Sequence, residues 1–149
     1  MGLDMCLEKE IYVGAMWKHR QVEGTVDLRS EGRRINVDVS KISTICEQVG
    51  SWRKANHIHN WFVTHVQKGE DDCGRYCIGQ DKIAELLKVC RTVLSHRERA
   101  EELLPCASGF FFGDTAYDQW YFGDIEETVA ILKEAQRDTS NGYYYSSSW

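Results

Sequence analysis

Proline is almost missing from this chain, with one in 149 residues. That one, Pro105, sits where it would close a helix. No apolar run approaches the roughly 18 residues of a membrane span, so membrane partners are not expected. Internal repeats, heptads and low-complexity tracts do not occur, which excludes solenoids, coiled coils and flexible linkers. With 42% hydrophobic and 28% charged residues, the signature of disorder is lacking too. A surplus of positive charge is also absent. The net charge of −5 argues against an extended nucleic-acid footprint, which needs clustered Lys and Arg. Neither a phosphate-binding P-loop, a dinucleotide-binding glycine pattern, a GxSxG elbow nor an HExxH helix is found. The start Met1 to Met5 has no basic and apolar regions of a secretion signal, so the expected location is cytoplasmic. Cys6 stands where N-myristoylation would want Ser or Thr. In that compartment the six cysteines are expected as free thiols.

What is there reads as one α+β domain over residues 1–149, a small, mainly antiparallel sheet packed with three or four helices. Leu3, Met5 and Leu7 alternate with Asp4, Cys6 and Glu8, the period of an N-terminal half-buried strand. The runs 25–28 and 35–39 flank Ser30-Glu31-Gly32 and predict a hairpin with Val26, Leu28, Ile35, Val37 and Val39 toward the core. Ser40 or Ser43 is expected to cap a short helix through Cys46 and Val49, ended by Gly50. A second helix is expected from Ser51 to Gly69 with Ala55, Ile58, Phe62, His65 and Val66 recurring at three and four. Residues 73–78 read as a short strand, with Tyr76 and Ile78 on one side. The stripe Ile83, Leu86, Leu87, Cys90, Val93 and Leu94 marks the clearest amphipathic helix. Asp124 with Glu127 suggests the cap of a last helix. Asn141-Gly142 then turns the chain into a C-terminal strand, with Tyr143, Tyr145, Ser147 and Trp149 sharing a face.

The most informative stretch is 109–122, where seven aromatics, two glycines and two aspartates fall within fourteen residues. Such a composition builds either an aromatic-walled pocket or a satellite core beneath a long connection. The motif WRKANHIHNWF adds Arg, Lys, Asn and His beside tryptophans, a set able to pair an anion and stack a flat ring. Its other reading is a solvated Arg53 and Lys54, core tryptophans and an interior His59. His57, His59 and His65 with Cys73 and Cys77 have poor zinc spacing, since Cys73 to Cys77 is one residue longer than C-x-x-C. No metal or other cofactor is assigned. A Cys73–His59 or Cys73–His65 nucleophile pair, or carboxylates binding a divalent ion, would need spatial proximity that sequence does not supply.

Three segments taken together, MGLDM at the start, WRKANHIHNWF followed by EDDCG, and LLPCASGFFFG with the terminal SSSW, carry a resemblance. They resemble a group of small proteins encoded by phages and bacterial genomes that lack an established activity. The resemblance spans nearly the whole chain and is specific for the group, not for a chemistry. It implies a phage accessory context, in which proteins of this size often bind a host component such as a nucleotide signal or a defence protein, and no mechanism. Cys6 and Cys106 depart from the group's pattern, which has Tyr and Thr or a similar residue there, so essential thiol roles at those positions are in doubt.

The leading expectation is therefore a non-enzymatic protein with no catalytic residues assigned, sequestering a small anionic ligand, a nucleotide, between the Trp52 helix and the Phe110 loop. Arg53 and Lys54 would hold charge, Asn56 and His59 would orient polar groups, Phe112, Tyr117 and Trp120 would stack, and Asp118 would accept from a base or ribose. The rival is an inhibitor that docks its aromatic and acidic surface on a host protein, with scattered exposed aromatics and no closed pocket. A hydrolase using His59 with Asp118 or Cys73 is the third class. Homo-oligomerisation through strand edges is open in all three.

Overall fold

In the computed structural model, which describes residues 2–14, 17–20 and 22–149, the alternation of Leu3, Met5 and Leu7 becomes strand β1 (Asp4–Tyr12). Two hairpin strands follow, β2 (Leu28–Ser30) and β3 (Arg33–Ile35), then β4 (Thr44–Arg53) and helix α1 (Asn56–His65). The chain continues through β5 (Arg75–Ile78), α2 (Gln80–Ser95), α3 (Ala100–Leu103), α4 (Gln119–Arg137) and β6 (Gly142–Ser148). The main sheet is antiparallel throughout, in the order β4-β1-β6-β5, and β2 with β3 form a separate ribbon. The result is a single α+β domain. Among the described residues no helix is long and apolar enough to cross a membrane.

One face of the sheet carries the core. Leu3, Met5, Leu7, Trp52, Tyr143 and Tyr145 are buried there with Ile58, Phe62, Leu86 and Ile125 from the helices. Phe62 of α1 stacks on Tyr145 with centroids 3.9 Å apart. α4 comes so close to β4 that a Cβ at Gly50 would lie 2.6 Å from Ile131 Cγ2, so glycine is required for that contact. The buried Trp52 indole donates to Thr128 Oγ1 at 2.8 Å and fixes the two elements in register. On the opposite face Arg75 bridges Glu8 and Glu10 and lies over the Tyr144 ring.

Several local expectations are overturned. Residues 44–50 are strand, not a capped helix, because β4 pairs with β1 from Tyr12↔Thr44 to Asp4↔Arg53, and that ladder outweighs the local capping residues. Ser51 accordingly lies in the strand, and α1 starts only at Asn56 with no side-chain cap at Ala55. The hairpin forms around Glu31 and Gly32, both at positive φ, but Leu28, Ile35 and Val37 are exposed, since the ribbon joins no strand of the main sheet. α4 is capped by Asp118, whose carboxylate accepts from the amides of Trp120 and Tyr121, and not by Asp124. The stripe Tyr121, Ile125, Thr128, Leu132 and Ala135 explains the earlier start, because helical spacing already begins at Tyr121. His65 is exposed against expectation, and so is Trp149, which leaves the core to Tyr143, Tyr145 and Ser147.

Candidate functional site

The link from β4 to α1 is two residues long, and it determines the site. Lys54 adopts φ +60, a conformation rare for a residue with a side chain. Its amide donates to Leu3 C=O at 2.7 Å, and its carbonyl accepts from Asn56 N–H at 2.8 Å. The Lys54 stem runs past Gly113, where φ is +83 and a Cβ would meet Lys54 Cβ at 3.1 Å. Strand end, helix start and loop 105–118 are thereby drawn together.

Asn56 holds the loop. Buried to 1% exposure, it donates through Nδ2 to Phe112 C=O (3.0 Å) and Asp114 C=O (2.8 Å), and its Oδ1 accepts from Ala107 N–H (3.0 Å). Leu3 N–H donates to Phe111 C=O, and the Cys106 amide donates to the Tyr117 hydroxyl oxygen. A connection this long is ordered because its carbonyls and amides find partners on other elements.

Between this loop, the Arg53–Lys54 corner and the start of α4 lies a cleft of about 310 Å³. Arg53, Lys54, Asn56, Asp118 and Trp120, five of the sequence-predicted residues, line it together with His57, Cys106, Asp114, Tyr121 and Asp124. Trp120 stands at the rim, 74% exposed. Lys54 has no carboxylate within ion-pair distance among the described residues, while Arg53 has only an exposed 3.7 Å contact to Asp4, of little energetic weight. Both cations are therefore available to a ligand. Asn56 lines the cleft, but both of its amide hydrogens go to the loop.

Three expected residues lie elsewhere. His59 is buried on another side of α1, with Nε2 3.0 Å from Asp71 and Nδ1 2.7 Å from the Tyr145 hydroxyl. With the Asp71 carboxylate accepting from Nε2–H, Nδ1 accepts the Tyr145 proton, and the ring is fully used as a core histidine. Asp71 also accepts from the Trp149 indole, which ties the last residue to the turn after α1. Phe112 packs edge-on against His59 and Trp149, away from the cleft. Tyr117 stacks edge-on against Tyr121 and caps Cys106 from outside the cleft wall. Asp118 is not a partner of His59, and among the described residues no three His, Cys, Asp or Glu side chains gather as a metal set.

Among the lining residues that the sequence did not assign to the ligand site, two stand out. His57 is 3% exposed, and burial pushes its imidazole pKa down to about 4, so the ring is neutral near pH 7. It lies on Tyr121, with centroids 4.1 Å apart, and its Nε2 has no protein partner. Asp124 is pushed up to about 6, first by burial and then by the Glu127 and Asp118 carboxylates. Reading Asp124 as a helix cap concealed it. The extension of the apolar stripe back to Tyr121 is the signal that would have moved the cap to Asp118.

No protein-family model matches the chain, and neither does any curated protein or solved structure.

Proposed function

We propose that this chain is a phage-type accessory protein, acting in host takeover or anti-defence in the host cytoplasm, that sequesters a small anionic ligand, a nucleotide, without turning it over. Arg53 and Lys54 take the anionic group, Trp120 takes the flat ring, and Asp118 accepts from the ligand with the oxygen that does not cap α4. The observation that carries this reading is Lys54. A residue held at φ +60 by contacts on both sides lines the same cleft as the exposed Trp120, and its ammonium has no carboxylate partner among the described residues. Strain of this kind costs about 1–3 kcal/mol and persists where the surrounding structure imposes it, often at ligand sites.

The test is isothermal titration of the purified chain with nucleoside monophosphates, comparing it with Arg53→Ala and with Lys54→Ala. Each substitution is expected to weaken binding about tenfold or more while the melting temperature stays close to that of the parent. Unchanged affinity in both variants would remove the cleft from the model. Native mass spectrometry of protein purified gently from bacterial cells, before and after denaturation, would name the natural ligand.

A second reading rests on a different observation. Phe110 is 96% exposed at the tip of the loop and meets Phe111 edge-on, an arrangement that suits docking on a host protein better than holding a small molecule. Phe110→Ser would abolish capture of that protein while leaving nucleotide binding intact. A loss of nucleotide binding in the same variant would instead count the tip as part of the ligand site.

A further inference from the structure

We infer that the chain forms a two-fold dimer through the β2–β3 ribbon, in which the segment Arg34 to Asp38 of one copy pairs antiparallel with the same segment of a second copy about Asn36. The groove along this segment shares no lining residue with the cleft, so the dimer does not depend on what the cleft binds.

The first observation is that the ribbon has no core of its own. No described residue from Trp17 to Gln48 is fully buried. Of the ten large hydrophobic side chains left exposed among the described residues, six fall between residues 12 and 45: Tyr12, Trp17, Leu28, Ile35, Val37 and Ile45. Leu28 lies directly opposite Ile35 in the ribbon, so the two share one face. A lone two-stranded hairpin is marginal in water, and an exposed apolar face of this kind marks a contact surface.

The second observation is a free edge. Residues 31–38 are all exposed, and a groove of about 360 Å³ is lined by Val26 and the five consecutive residues from Arg34 to Asp38. A run of consecutive lining residues fits an extended occupant. The turn between β2 and β3 is two residues long, Glu31 and Gly32, both at positive φ, which makes Ser30 and Arg33 the closing hydrogen-bonded pair. By alternation, Ile35 also directs its backbone groups to β2. Arg34, and Asn36 just past the strand, direct theirs to the open edge, where another strand can take them.

The third observation selects a second copy as that strand. In antiparallel pairing about Asn36, residue 34 meets residue 38 and residue 35 meets residue 37, each twice. Arg34 then faces Asp38 of the second copy and Ile35 faces its Val37, opposite charges and apolar groups in register. Within one chain Arg34 faces Arg29 across the ribbon, a like-charge pair relieved only by an exposed 3.7 Å contact to Asp27. Asp38 spends Oδ1 on Ser40 and leaves Oδ2 3.4 Å from the exposed Lys41. Residues 22–43 also balance four bases, Arg29, Arg33, Arg34 and Lys41, against four acids, Glu23, Asp27, Glu31 and Asp38, in a chain of net charge −5. A surface that meets its own copy needs such balance, because a single sign would repel itself.

The test is sedimentation equilibrium of the full chain from micromolar to millimolar concentration, where a species of twice the 17.2 kDa chain mass is expected. Arg34→Asp sets carboxylate against carboxylate and Asp38→Arg sets guanidinium against guanidinium, at two symmetric places each. Either substitution is expected to raise the dimer dissociation constant about tenfold or more. Mixed in equal amounts, the two variants again place an acid opposite a base at both positions, and a heterodimer of near-parental affinity is expected. In the unmodified protein, isotope-filtered NMR of a mixture of labelled and unlabelled copies should show contacts between the Ile35 and Val37 methyl groups of different copies. That measurement does not depend on a variant folding. A chain that stays monomeric to millimolar concentration, including one whose ribbon captures a different protein, overturns the inference. A dimer that neither substitution weakens, or one without the Ile35 to Val37 contacts, overturns it as well.

Discussion

Replacing Asn56 by alanine is expected to be among the most damaging single changes outside the apolar core. The side chain is 1% exposed and joins three points of loop 105–118 at 3.0, 2.8 and 3.0 Å. Each such bond contributes about 0.5–1.5 kcal/mol net, and truncation leaves two carbonyls and one amide without their partner. The Phe112 carbonyl and Ala107 amide belong to half-buried residues, whereas Asp114 is exposed and its carbonyl can recover a bond to water. The expected loss is thus about 2–4 kcal/mol. For a domain of this length that corresponds to a fall in melting temperature of roughly 5–15 °C. The assay is urea unfolding of the parent, Asn56→Ala and Asn56→Asp, with amide exchange at Ala107 as a local probe. Aspartate restores the acceptor for Ala107 but sets a carboxylate oxygen against two carbonyls, so it should be no better than alanine. A loss below about 0.5 kcal/mol in Asn56→Ala, which is the range of ordinary surface changes, would refute the claim that this residue organises the site.

Three further outcomes are expected. His57 titrates at about 4 when folded and near 6.5 when unfolded, so the unfolded chain binds the proton first. Its contribution is present above pH 6.5 and falls by about 3 kcal/mol as pH drops toward 4. Asp124 runs the other way, because its folded pKa of about 6 lies above the model-compound 3.8, so the stability it lends at low pH is lost as pH rises through 6. The two offset one another between pH 4 and 6.5. His57→Phe should reveal stability that rises on acidification relative to the parent, and Asp124→Asn the reverse. Urea midpoints at pH 4.5 and 7.5 for both variants check this, and parallel profiles would contradict it. Gly50→Ala, with Ile131 Cγ2 2.6 Å from the added methyl, should cost about 1–3 kcal/mol by thermal unfolding. Asp118→Ala, removing the α4 cap, should cost about 1 kcal/mol, and no change in melting temperature would show that Trp120 and Tyr121 find other acceptors.

Elements whose pattern repeats along the chain are legible in the amino-acid sequence. Period-two alternation gave β1 and the C-terminal tyrosine strand, the 83–94 stripe gave α2, and Asn141-Gly142 marked the turn before β6. The sequence also singled out the two segments that form the cleft, because cations, aspartates and aromatics crowded there have no common structural use in a plain strand or turn. The remainder depends on contacts between distant segments. β4 is a strand because β1 offers it an edge, and the pairs from Thr44↔Tyr12 to Arg53↔Asp4 join residues far apart in sequence, beyond the reach of local capping signals. Which of Asn56, His57 and His59 meets loop, cleft or core depends on what packs on each side of α1. Asn56 became a loop clasp, His59 a core histidine and His57 an unpaired ring in a cleft. Three neighbouring polar residues diverged because the groups that meet them, from Asp71 to Tyr145, come from other elements of the fold, and local propensity holds no information about them.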